Sequence, residues 1–225
     1  MSSLTVLIVF PCLIALGIWQ LHRAEEKNNM QRAFDRQEAL PVAELATLDE
    51  TIPLHRHVRV QGRFLAGHNL LLDNKVVAGK VGYEVVSPFI LNDNAIVLVN
   101  RGWVPLGKTR ADLPDVLDPE DLVWVSGRIR QFPDVGYRFK GIEYADDEWP
   151  RVVQYVDQKK MRAWFGSKIL PFVIQLNADA PHGFVRQWKF ITTRPEKHTA
   201  YAIQWFAIAI VLLLGYFKFS FYKEE

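Results

Sequence analysis

The amino-acid sequence predicts a membrane protein: two transmembrane helices flank a β-rich extramembrane domain, an antiparallel sheet or small barrel of α+β class. Three observations predict it. Leu4 to Leu21 and Ala200 to Phe217 carry no charged residue, and at about 1.5 Å per residue each reaches across most of a hydrocarbon core about 30 Å thick. From His57 onward, apolar and polar residues alternate with the period of half-buried strands. The one cysteine, Cys12, excludes an internal disulfide framework and a CxxC metal site. With 225 residues there is room for about one ordinary core, and a net charge of +2 gives no electrostatic case for nucleic acid.

Transmembrane helix 1 is expected over 4–21. No Lys or Arg precedes it and no small-x-small cleavage site follows it, so it reads as a retained anchor rather than a signal peptide. Without an Arg- and Ser-rich transit segment, a bacterial plasma membrane is expected rather than an organelle. Cys12, inside the apolar run, is expected to be a buried, inert thiol. HRAEEKNNMQRAFDRQEAL continues as a charged helical extension ending near Pro41, and 22–50 form that extension and a linker.

The β-rich domain is expected over 51–195. HVRVQGRF, NLLLDN, VGYEVVSPFIL, AIVLVNRGWV and LVWVSGRIRQF are strands, with a hairpin turn at Asn92-Asp93-Asn94. Phe132 to Pro150 reads as a long surface loop, and its Asp146, Asp147 and Glu148 as a solvated turn. DQKKMRAWF is a short helix capped by Asp157 and ended by Gly166. Ile169 to Asn177 and Gly183 to Phe190 are two further strands, and transmembrane helix 2 follows over 198–219.

One segment offers a rival function. Gly102 to Thr109 spells G-x-x-x-x-G-K-T, the Walker A pattern, after an apolar strand. Such a loop needs a helix starting at its Lys-Thr, whereas TRADLPDVLDPED carries Pro114 and Pro119 and no helical period. The residues therefore read as a strand end and a polar connection.

Catalytic signatures are lacking: there is no G-x-S-x-G, no H-E-x-x-H and no soluble nucleophilic cysteine. Of six histidines, His55 and His57 would share a strand face and could ligate one metal, but Arg56 and Arg59 oppose a cation. His22, His68 and His182 read as interface or loop residues. His198 opens the second span, and helical spacing puts it on one face with Tyr201, Ala202 and Trp205. An imidazole among small and aromatic residues at a membrane surface is what axial haem ligation requires, while an interfacial histidine in an aromatic belt is the plainer alternative. Gln204 within the span is costly in lipid and is expected to face a partner helix or a bound group.

Charge leaves topology open. Arg23, Lys27, Arg32, Arg36, Arg186, Lys189, Arg194 and Lys197 flank the inner ends of the spans, against Lys218 and Lys223 in the tails. A positive-inside count would put the central domain in the cytoplasm, but the rule weakens for connections longer than about 60 residues.

In order and spacing, LGIWQLHRAEEK, VRVQGRF, VGYEVVSPFIL, VLVNRGWVP, PFVIQLN and KHTAYAIQWF resemble the Surfeit locus protein 1 family of cytochrome c oxidase assembly factors. The resemblance implies a non-enzymatic factor of the bacterial inner membrane, with both termini cytoplasmic and the β-rich domain periplasmic. It implies help in delivering haem a to subunit I of a haem-copper oxidase, with haem a synthase, other assembly factors and membrane lipid as further partners. His198 stands where the family's second-span histidine does, although Glu196-Lys197 replace the Asn residues that often precede it. A transient carrier would then use His198 on the iron, Tyr201 and Trp205 on the macrocycle, and Trp19 to close the pocket. Arg101, near a propionate, and Trp103 would sit at its mouth. The alternative is a membrane scaffold that holds an oxidase intermediate without binding haem.

Overall fold

The computed structural model describes residues 3–132, 148–188 and 194–221. The chain divides into two compact units, Met1–Arg36 with Lys189–Glu225, and Gln37–Trp188.

The first unit is an antiparallel helix pair. Helix α1 (Ser3–Glu38) runs unbroken through the charged extension, and α3 (Pro195–Phe221) returns beside it. Both are long and apolar enough to cross a membrane. The buried residues of α1 are Val6, Leu13, Gly17 and Ala24, steps of seven and four that trace a narrow seam. On α3 the seam runs through Ala202 and Ala209. Small residues let the backbones approach: a Cβ at Gly17 would lie 2.4 Å from the Phe206 ring. Large apolar side chains such as Leu7, Ile8, Ile203, Ile210 and Val211 point outward, an arrangement that lipid solvates and water does not. Cys12 falls off the seam phase and is exposed, contrary to the buried thiol expected of it.

The second unit is built around a closed five-stranded barrel. Its staves are β2 (His57–Phe64), β6 (Val123–Gln131), β8 (Ile169–Leu176), β5 (Ile96–Pro105) and β4 (Lys80–Leu91), in that order. Pairing of Gly62 with Leu91 and Phe64 with Phe89 closes β4 back onto β2. Only β5 and β8 run parallel within the ring. The alternation of β2 follows directly: Val58, Val60, Gly62 and Phe64 are buried while Arg59 and Arg63 are exposed. The barrel interior holds Val58, Val60, Phe89, Val97, Ile129 and Ile174, among others.

Outside the ring, β3 (Leu70–Val77) extends β4, and the short β7 (Arg151–Val153) lies parallel on β3. Another three-residue strand, β1 (Ala43–Leu45), runs parallel to β2. Helix α2 (Gln158–Phe165) buries Met161 against Leu70, Leu72, Leu98 and Ile169. Asp157 caps it by accepting from the backbone of Lys159 and Lys160, and Gly166 ends it at φ 86°. Cover on both sides explains why β5 is buried from Val97 to Val104, with Asn100 and Arg101 among the buried residues.

Gly183 to Phe190 is not a strand: Val185 makes one isolated bridge to Trp103, and Lys189 and Phe190 lie outside the described residues. Arg186 and Trp188 instead turn their side chains back to the carbonyls of Asn177, Ala180 and Leu176, which ends the pairing. The Walker-like segment is a strand end and turn: Gly102 to Pro105 belong to β5, and no helix starts at Lys108. There the Asp112 carboxylate accepts from the Lys108 amide, so the turn is already served by an anion of its own chain. Of the long loop, 133–147 lie outside the described residues, Asp146 and Asp147 included; Glu148 is exposed.

Candidate functional site

The helix pair places His198 on its inner seam, half-buried, one turn before the buried Ala202. Across from it stands Gln20 of α1, between Gly17 and Ala24 on the same seam. The His198 Nδ1 and Gln20 Oε1 are 2.8 Å apart. A carboxamide oxygen accepts only, so Nδ1 is the donor. In the neutral ring, Nε2 then keeps its lone pair, and it has no hydrogen-bond partner among the described residues. One ring nitrogen is thus held and the other is open at the edge of an apolar span, an arrangement common in metal-ligating histidines. Trp205 is half-buried two turns further on, whereas Tyr201 and Trp19 are each 53% exposed on the flanks. Gln204 is exposed in the pair and does not face α1.

Arg101 and Trp103 belong to the barrel unit, and the structure commits both side chains there. The Arg101 side chain is 2% exposed and its Nη1 meets Asp118 Oδ1 at 2.5 Å. Nη2 donates to the Leu117 carbonyl, Nε to the His182 carbonyl, and Nη1 also to Ser87 Oγ. The rings of Phe64 and Phe184 stack on the guanidinium at 4.9 and 5.0 Å. Burial pulls the Arg101 pKa down while Asp118 raises it. Every donor nitrogen of Arg101 thus has a partner within the domain. A cleft of about 400 Å³ borders this pair, between Asp118, Pro119, His182 and Phe184. The Trp103 indole donates to the Lys75 carbonyl at 3.1 Å.

A model of the SURF1 family matches residues 7–210. The chain belongs to the SURF1 family. That family is in general one of oxidase assembly factors. A SURF1-like protein of Rickettsia felis is 36% identical over 104 residues, 45% of this chain and 46% of that one. A SURF1-like protein of Dictyostelium discoideum is 33% identical over 108 residues, covering 42% and 40%. An uncharacterized SURF1-like protein of Mycobacterium tuberculosis is 25% identical over 231 residues, covering 98% of this chain and 83% of its own. The matches to the Rickettsia proteins thus span less than half of each relative's length.

The remaining histidines of this SURF1-family chain have local partners or lie at its surface. His55 precedes β2 at φ 70°, which breaks the alternation that would set its ring beside that of His57. Its Nδ1 lies 2.8 Å from Arg130 Nη1, and the His57 ring bonds the Asn177 carboxamide. Among the described residues no cluster of three His, Cys, Asp or Glu could hold a metal ion. His68 bonds the Ala66 carbonyl, His182 is a left-handed turn residue, and His22 is exposed. Gln20 escapes a search for ionisable or aromatic residues. The signal that finds it is phase, since Gln20 lies three residues after Gly17 and four before Ala24 on the buried stripe.

Proposed function

We propose that this SURF1-family chain assists assembly of a haem-copper terminal oxidase by carrying haem a in transit to subunit I, without catalysing a reaction. The observation that carries the reading is His198, half-buried on the helix seam with Nδ1 held by Gln20 and Nε2 open. Haem is the cargo: Nε2 would ligate its iron, and Trp205 on the helix pair, with Tyr201 and Trp19 on the flanks, would supply aromatic surfaces to pack on its rings. Arg101 and Trp103 are left out, because their polar groups are spent inside the barrel. One imidazole at an interface is a ligand that a pair of histidines in the oxidase would outcompete, as delivery requires. The chain works in a bacterial inner membrane with the barrel periplasmic and both termini cytoplasmic, where haem a synthase and other assembly factors would meet it. The second reading, a scaffold without haem, draws on the outward apolar faces of both helices, which suit lipid or partner helices.

The test is the visible spectrum of the detergent-purified protein from cells that make haem a, beside His198→Ala. A haem a spectrum lost in the variant is expected. A colourless wild type from such cells would leave the scaffold.

A further inference from the structure

We propose that Gln20 is the positioning residue of His198, holding the imidazole in the tautomer whose Nε2 is unprotonated. The proposal rests on the reading of His198 as the iron ligand, but its central claim concerns the protein without haem.

The two side chains are 178 residues apart in sequence and meet only because the helices pair antiparallel. Each is a polar group within or at the end of an apolar span, where an unmade hydrogen bond is costly, so each favours the other as partner. Phe206 closes over Gly17 one turn from Gln20, and the buried Ala24 lies one turn beyond. Because Oε1 cannot donate, the 2.8 Å contact selects the Nδ1–H form and turns Nε2 into the acceptor. Histidines that bind metals commonly have the second nitrogen held in this way, with the partner setting ring orientation and basicity. A carboxylate in place of Gln20 would draw the Nδ1 proton harder and strengthen the ligand. A neutral carboxamide orients the ring with little added basicity, which suits a cargo that must leave.

The experiment uses the full chain in lipid, with ring-15N histidine and no haem, and reads the protonation of each ring nitrogen by magic-angle-spinning NMR. The His198 signals are assigned by their loss in His198→Ala. The wild type is expected to show Nδ1 protonated and Nε2 bare. Gln20→Leu is expected to lose this preference, and Gln20→Glu to restore it. In a second arm, haem affinity should fall about 10- to 100-fold in Gln20→Leu and recover in Gln20→Glu, with a lower iron reduction potential. The recovery separates positioning from misfolding.

A wild-type ring protonated on Nε2, or one that Gln20→Leu leaves unchanged, would overturn the proposal whatever the haem result. If the tautomer responds as expected but wild type and His198→Ala load haem alike, the pairing stands and the carrier reading falls.

Discussion

Arg101 is held on every side, because one guanidinium serves Asp118, Ser87 and two backbone carbonyls between two aromatic rings. Removing one partner of a buried ion pair leaves the other uncompensated, at a cost of about 3–5 kcal/mol. Arg101→Ala and Asp118→Ala are each expected to lower the unfolding free energy of the barrel, read from urea denaturation, by that order, and the double variant by less than the sum. Additive losses would mean that the pair is not coupled. Arg101→Lys should not rescue, since an ammonium cannot reproduce the forked geometry. His55 makes the opposite demand, for neutrality: Nδ1 accepts from Arg130, and burial, then Arg130 and Arg128, lower its pKa. The unfolded chain therefore binds the proton first, and the His55 contribution is present above about pH 6.5 and lost as pH falls toward the lowered value. The wild-type midpoint should drop between about pH 7.5 and about pH 5.5 by more than that of His55→Gln. Equal drops in the two proteins would remove His55 as a source of the acid sensitivity.

The pairing of β2 with β4 is what turns a sheet into a barrel, and Gly62 sits at that closure. A Cβ there would meet the Ile90 carbonyl oxygen at 2.2 Å and the Phe89 ring at 2.6 Å, so backbone, not only a flexible side chain, would have to yield. Gly62→Val should destabilise the barrel by about 1–3 kcal/mol or more and speed hydrogen exchange at the amides of 89–91 ahead of those on β6 and β8. Uniform exchange through the barrel would show that closure is not the weak point. Within the helix pair, the seam positions decide which polar groups meet. Gln20 and His198 do so, while Tyr201, Gln204 and Trp19 lie off the seam. The short strands β1 and β7 are stable only because each borrows a longer neighbour, β2 and β3. Three residues hold too little periodicity to be seen beforehand.

The proposed topology takes both long apolar helices as spans, with both termini cytoplasmic and the barrel periplasmic. A phosphatase reporter active only in the periplasm is expected to be silent when fused after Glu225 and active when inserted at the exposed Ala78–Gly79 hairpin tip. The reverse pattern would put the barrel in the cytoplasm, where the positive-inside count points. The sequence by itself determined the two long apolar helices, six of the eight strands among the described residues, the capped helix after Asp157 and the failure of the Walker-like segment. These follow from local rules: period, turn chemistry, caps and the absence of charge. It also singled out His198, whose residue type and place at the head of a span are visible in one dimension. Tertiary structure alone decided the closure of the ring, the irregular course of the chain after Gly183, the burial of Arg101 and the presence of Gln20 opposite His198. Each of these depends on which distant segments are brought within hydrogen-bond reach. Local periodicity carries no information about that, because the free energy of such contacts is set by long-range packing and by the desolvation of the groups that meet.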